Sequence, residues 1–226
     1  MTITFLADTH GKHKELEKFL PGGDLLIHAG DFTDRGRLNQ IEAFCEWYNG
    51  LDQYKNKVFI AGNHEFGVQD YPDQVKEIFA KYENITYLQD DFFYVGEHPN
   101  LVKIYGTPWQ PEFYNWAFNL PRKGWELEQK WNNIPADTDI LITHGPAFGY
   151  LDKARNNNVG CEILAKRIEV IKPKIHVFGH IHGGAGYKFE NDTHFVNAAN
   201  LNERYLFTND PITMEWIKET NEIFIH

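Results

Sequence analysis

The chain is poor in several things, and each shortage narrows what it can be. Only two cysteines, Cys45 and Cys161, occur among 226 residues, too few for a disulfide framework or a Cys-rich zinc site. Both are expected as small buried hydrophobes inside helices, which fits a reducing, cytoplasmic setting. No run of 18 apolar residues exists, so no membrane-spanning helix is expected. The opening residues, Met1-Thr2-Ile3-Thr4-Phe5-Leu6, lack a basic n-region and a cleavage site and are expected to enter a strand directly. Basic charge is short as well: 22 Lys and Arg stand against 32 Asp and Glu, giving −10 with no block of one sign. A protein that tracks a long nucleic acid by its phosphates needs a basic face, so no such partner is expected. A small phosphate ester stays open, because bound divalent cations reverse the local field. Repeats, low complexity and linkers are missing too, and one domain over residues 1–226 is expected.

What is present suffices for a packed core: 42% hydrophobic and 15% aromatic residues. Strand-like runs at 2–8, 24–29 and 57–61 alternate with helical patterns at 12–19, 38–49 and 73–82. That alternation predicts βαβ units and a mainly parallel sheet. Short β-branched or aromatic runs at 85–88, 92–95 and 101–105 are expected as antiparallel strands of a second sheet. A helix is expected at 123–132, and another at 160–171 between buried strands at 139–143 and 174–178. The tail from 186 to 225 is expected as antiparallel strands, with 193–196, 205–208 and 213–217 the clearest. The fold class expected is α/β: two sheets face to face with helices outside.

The chemistry gathers where the buried strands end. The first run ends in Asp8-Thr9-His10, the second in Gly30-Asp31-Phe32-Thr33-Asp34-Arg35, and the third in Gly62-Asn63-His64-Glu65. The 139–143 run leads into His144-Gly145-Pro146, and the 174–178 run into Gly179-His180-Ile181-His182. Open α/β sheets bind ligands beyond the carboxyl ends of their strands. In extended chain the side-chain period is two, so Asp8 with His10, and His180 with His182, are expected to face one side. Carboxylate, imidazole and amide without thiolate suit Mn, Fe, Zn, Ni or Co. Two ions a few Å apart need a bridging carboxylate, and Asp31 is the candidate.

These five motifs, in this order, resemble those of the calcineurin-like metallophosphoesterase superfamily. The stretches Leu26–Thr33, Ile104–Trp109, Phe118–Arg122 and Lys174–Gly179 resemble its metallophosphoesterase domain-containing branch, which groups with class III cyclic-nucleotide phosphodiesterases. The resemblance implies a four-layer α-β-β-α sandwich of two mixed sheets. It implies one metal on Asp8, His10, Asp31 and His182 and a second on Asp31, Asn63, His144 and His180. Manganese is favoured. His64 would bind no metal but face the substrate and protonate the departing oxygen, with Asp34 orienting it and Arg35 gripping phosphate. Some animal members of that branch carry glycine where His180 stands; histidine here implies an intact site.

The activity expected is hydrolysis of a small phosphodiester, with nucleotides among the candidates, by in-line attack of water activated between the two ions. A phosphomonoesterase or protein phosphatase uses the same chemistry, and a metal-binding module that has lost catalysis shares the fold. The bland readings matter too. His28 and His176 lie within strands and are expected as hydrogen-bonded core histidines. The aromatic run Trp109, Phe113, Tyr114, Trp116 and Phe118 is first a packing segment and only second a roof over the site. Glu65 is expected to brace its neighbours.

Overall fold

The computed structural model describes residues 1–226. Its first half runs β1 (Thr2–Leu6), β2 (Gly23–Ala29), α1 (Leu38–Asn49), β3 (Tyr54–Ile60), α2 (Phe66–Asp70), α3 (Pro72–Phe79), β4 (Thr86–Tyr87) and β5 (Asp91–Val95). The middle holds β6 (Val102–Thr107), β7 (Gln110–Pro111), β8 (Asn119–Leu120), α4 (Trp125–Asn132), β9 (Ile140–Thr143), β10 (Lys153–Ala154) and β11 (Asn157–Asn158). It closes with α5 (Glu162–Ile171), β12 (Ile175–Phe178), β13 (Gly186–Glu190), β14 (Thr193–Asn197), β15 (Ile212–Ile217) and β16 (Glu222–Ile225).

Two six-stranded sheets result, ordered β16-β15-β1-β2-β3-β4 and β13-β14-β12-β9-β6-β5. In the first, β1 to β4 are parallel, β15 pairs antiparallel with β1, and β16 pairs antiparallel with β15. In the second, β14, β12, β9 and β6 are parallel, while β13 and β5 close the edges antiparallel. Both sheets are therefore mixed.

The alternation of the strands explains why they stack. Ile3, Phe5, Leu25, Ile27, Val58 and Ile60 point from the first sheet into an interior shared with Ile104, Ile140, Ile142, Ile175 and Val177 of the second. On the outer faces, Leu26 and Phe59 meet Ile41, Phe44 and Tyr48 of α1 and Val75 and Ile78 of α3. Leu141, Phe178 and Phe195 meet Leu127 and Trp131 of α4 and Leu164 and Ile168 of α5. Each such side chain contributes about 1.5–3 kcal/mol when fully buried. The layers read α-β-β-α, as expected.

Three local expectations change. Thr86–Tyr87 joins the first sheet, parallel to β3, instead of the second. The 205–208 run forms no strand; Phe207 makes only an isolated bridge to Leu201. The 12–19 segment is a 3-10 helix, His13–Phe19. Exposed Lys14, Glu15, Glu17 and Lys18 leave it only His13 and Leu16 to bury, too little for a full α-helical face.

Candidate metal centre

All seven expected ligand side chains converge just past the strand ends, but not by the expected backbone route. β1 stops at Leu6 and β12 at Phe178, so Asp8, His10, His180 and His182 lie outside extended chain. Asp8 (φ 54°), His10 (φ 43°), Asp31 (φ 55°) and His180 (φ 66°) instead adopt the left-handed region. For residues with a Cβ this costs energy and persists where the surroundings enforce it, often at functional sites. The period-two argument thus fails for both histidine motifs, though its conclusion that each pair lies near one place survives. Glycine is required at two positions by close approach: a Cβ on Gly62 would collide with Asp31 Oδ1, and one on Gly179 with Asp8 Oδ2.

Asp31 sits at the centre. Its Oδ2 lies 3.2 Å from His144 Nε2 and 3.9 Å from Nε2 of both His10 and His64. Its Oδ1 accepts from the His64 backbone N–H at 2.8 Å. Asp8 Oδ1 is 3.7 Å from His182 Nε2, and the Asp8 carboxylate accepts from the His180 backbone N–H. Asn63 Oδ1 is 2.9 Å from His144 Nε2. Three groups bring their ligating atoms within 4.8 Å of one another: Asp8, His10 and His182; His10, Asp31 and His64; and Asp31, His144 and His180. His180 and His182, neighbours in sequence, thus serve different groups.

The donor set fits divalent transition ions. His10 is buried, and neither ring nitrogen has a hydrogen-bond partner in the protein. Burial lowers the pKa of His10 to about 3 and that of His180 to about 3, which keeps ring nitrogens free of protons at neutral pH. His144 differs: burial opposes its charge, but Asp31 and Asp8 overcome that and raise it to about 9. A dication among these side chains would take the place of that proton.

Glu65 ties two strand ends together. Its Oε2 accepts from the N–H groups of Asp31 (2.9 Å) and Gly62 (2.7 Å), and its Oε1 from Thr33 N (2.9 Å) and Thr33 Oγ1 (2.8 Å). Burial and the Asp31 charge push its carboxyl up to about 7, against four donated hydrogen bonds that favour the carboxylate.

His64 is turned by a different part of Asp34 from the one expected. Its Nδ1 lies 2.6 Å from the Asp34 backbone oxygen, a pairing that requires N–H at Nδ1 and leaves Nε2 toward Asp31. The Asp34 side chain is exposed. Arg35 is exposed too, with its guanidinium over the Trp116 ring, 5.3 Å from the centroid. Trp116 in turn stacks on His64 at 4.2 Å, and His10 meets the His64 ring edge-on at 4.4 Å. Trp116 is held there because the next residue, Ala117, donates to Asn63 O, and Phe118 donates to Gln69 Oε1. The aromatic run therefore divides: Phe118 is core, Trp109 donates its indole N–H to Asp90, and Trp116 and Phe113 (5.3 Å from His180) border the site.

Tyr205 went unseen in the sequence: its ring stands 4.8 Å from His10 and 5.6 Å from His182. Nothing in the sequence pointed to it, because 205–208 is expected there as a strand. His28 and His176 are core residues as expected, each with Nε2 on a threonine hydroxyl, Thr9 at 2.9 Å and Thr143 at 2.8 Å. Asn197 and Asn200 are buried and spent on backbone groups.

Comparison with known proteins gives the family and the fold. The family model for calcineurin-like phosphoesterases matches residues 1–184. Metallophosphoesterase domain-containing protein 1 of Homo sapiens is 40% identical over 229 residues, covering 93% of this chain and 69% of its own length. A UPF0046 protein of Caenorhabditis elegans is 34% identical over 228 residues, covering 93% of this chain and 79% of its own. The crystal structure of TT1561 of Thermus thermophilus shares the fold: TM-score 0.70 at 14% identity, over 100% of this chain and 97% of that one. No helix here is long and apolar enough to cross a membrane. With the matched span taking in Asp8 through His182, the chain belongs to the calcineurin-like phosphoesterase family, whose members use divalent metal ions on phosphate esters.

Proposed function

We propose that this chain, a single domain over residues 1–226, is a two-metal phosphodiesterase acting on a small phosphodiester, with nucleotides among the candidates. The observation that supports the reading is the convergence of seven candidate ligand side chains from five strand ends around the Asp31 carboxylate. Asp8, His10, Asp31 and His182 would hold one ion, and Asp31, Asn63, His144 and His180 the other, with manganese first among Mn, Fe, Zn, Ni and Co. Such ions, when bound, lower the pKa of water and neutralise charge growing on a phosphoryl group.

The chain's own residues supply the rest. His64 is the proton donor to the leaving oxygen: with Nδ1–H fixed on Asp34 O, only Nε2 exchanges a proton with the substrate. The Trp116 stack and the His10 edge hold the ring plane, so donation needs no reorientation. Glu65 fixes the backbone that carries Asp31 and Gly62.

Preference for a diester draws support from two arginines. Arg122 lines the cavity beside the centre, but its guanidinium is engaged by the carbonyls of Val159 and Gly160 and by Glu162. Arg35 is held over Trp116 and is not among the cavity-lining residues. A monoester carries about −1.5 to −2 near neutral pH and gains more from a free guanidinium than a monoanionic diester does. Two free buried cysteines accord with a cytoplasmic setting.

The test is hydrolysis of bis(4-nitrophenyl) phosphate against 4-nitrophenyl phosphate by metal-stripped protein resupplied with Mn, Zn, Fe, Ni or Mg. Faster turnover of the diester, abolished by chelation, is expected. Faster monoester turnover moves the reading to a phosphomonoesterase. Silence with every metal leaves a metal-binding module and ends the catalytic reading.

A further inference from the structure

The cavity beside the metal centre measures about 290 Å³, near the lower end of ligand pockets, and Asp31, His64, His180 and His182 line it. Two aromatic rings on its wall stay open to solvent: Phe113 is 46% and Tyr205 42% exposed. Each stands beside a different ligand group. Phe113 meets His180 edge-on at 5.3 Å, while Tyr205 meets His10 edge-on at 4.8 Å and lies 5.6 Å from His182. Single exposed apolar side chains are ordinary, but rings gathered on the wall of one cavity mark a place for a ligand.

Tyr205 is held in place by its own segment, residues 200–209, which lies beyond residue 184, where the family match ends. Its backbone takes the left-handed region (φ 57°), its N–H donates to Asn202 O at 2.8 Å, and its carbonyl accepts from Lys12 Nζ. Asn202 Oδ1 accepts from Arg204 N at 2.9 Å and Leu206 N at 3.1 Å, which closes the turn on itself. Phe207 stacks on Phe19 at 5.3 Å and fastens the far side. The same turn accepts from His182 Nδ1 at Leu201 O (2.9 Å) and Asn202 O (3.1 Å), so the Tyr205 and His182 rings share one support. A ring fixed in this way needs little further ordering when a ligand packs against it.

Packing against His10 uses only part of the Tyr205 ring, and the rest is open on the cavity side of the ligands. We propose that Tyr205 is a specificity-determining residue of the phosphoesterase site, packing against a flat aromatic ring carried on one arm of the ester. The proposal rests on the phosphoesterase reading above and names a substrate class that reading left open. Aromatic rings meet in offset-stacked or edge-to-face contacts worth more than the area they bury, whereas a puckered saturated ring of equal carbon count gains only the area. A cavity of this size admits one such ring rather than a long chain.

The test is calorimetric binding, which needs no turnover. Methyl(phenyl)phosphinate and cyclohexyl(methyl)phosphinate are monoanions like a phosphodiester, have no ester bond to hydrolyse, and differ only in the ring. Wild-type protein loaded with Mn is expected to bind the phenyl compound about tenfold more tightly. Tyr205→Leu should reduce that ratio to about threefold or less, and Tyr205→Phe, which keeps the ring, should hold it within about twofold of wild type. A ratio taken within one variant cancels loss of folded protein or of metal, the losses that a merely structural Tyr205 would cause. If Tyr205→Leu does not fold, Tyr205→Met takes its place. A wild-type ratio near unity, a ratio that survives removal of the ring, or no binding of either phosphinate overturns the proposal, and the phosphoesterase reading then stands on turnover of bis(4-nitrophenyl) phosphate. No phosphinate binding together with no such turnover under any metal brings down both.

Discussion

His144 and His176 are both fully buried, and His176 touches the residue before His144, yet the two have opposite electrostatic characters. His176 lies inside β12 with Nε2 on the Thr143 hydroxyl, and burial alone lowers its pKa to about 3. His144 lies one residue past β9, where the Asp31 carboxylate, 3.2 Å away, outweighs the same burial and raises its pKa to about 9. The other sheet repeats the placement but not the sign, since burial holds both of its histidines below the ordinary value. His28 within β2 bonds the Thr9 hydroxyl, and His10 beyond β1 has no hydrogen-bond partner, with Asp31 3.9 Å away. Burial does not make a histidine a ligand candidate. A carboxylate beyond the strand end does, and a threonine hydroxyl within the strand makes it part of the core.

The sharpest way to break this contrast is to remove the carboxylate. In Asp31→Ala the bound metal should fall from about two ions per chain to less than one, and turnover by on the order of 10³-fold or more. Metal analysis after desalting, beside the rate on bis(4-nitrophenyl) phosphate, checks both. An unchanged metal content would mean that Asp31 is no bridge. His64→Ala should separate the two quantities: metal content stays, while turnover drops on the order of 10²-fold or more. Loss of metal there would make His64 a ligand, a role its group with His10 and Asp31 makes worth testing.

Much of the site was legible because it is local. A buried run, a glycine and then Asp31 or Asn63 lie within a few residues of one another, and sheet stacking brings such ends together. The helix over 38–49 was likewise legible, since Ile41, Phe44, Cys45 and Tyr48 recur at helical spacing and all are buried. What escaped depends on partners distant in sequence. Asp8 and His180, both at positive φ, are joined by the His180 N–H donating to the Asp8 carboxylate across 172 residues. Tyr205 reaches His10 from a tail whose 205–208 run looked like strand. Asp34 lies beside His64, but the contact is made by its carbonyl, and its carboxylate is exposed.

The smallest effect concerns the core histidine and is read on stability, in metal-stripped protein. His176 has a folded pKa of about 3 against an ordinary value of 6.5. As pH falls below 6.5 the unfolded chain takes up the proton first, so the unfolded state gains and stability declines until about pH 3. At a pH two units below 6.5 this single group costs up to roughly 3 kcal/mol. His176→Gln, which can still bond Thr143, should therefore lose less stability than wild type between pH 7 and pH 4.5, by about 1–3 kcal/mol, in urea unfolding. The acid limb should shrink without vanishing, because His10 and His13 (about 4) are also held neutral by burial. His144 contributes with the opposite sign: its stabilisation is complete below 6.5 and is lost as pH rises through about 9. Equal acid losses in the variant and the wild type would show that His176 is protonated in the fold, and the contrast with His144 would then collapse.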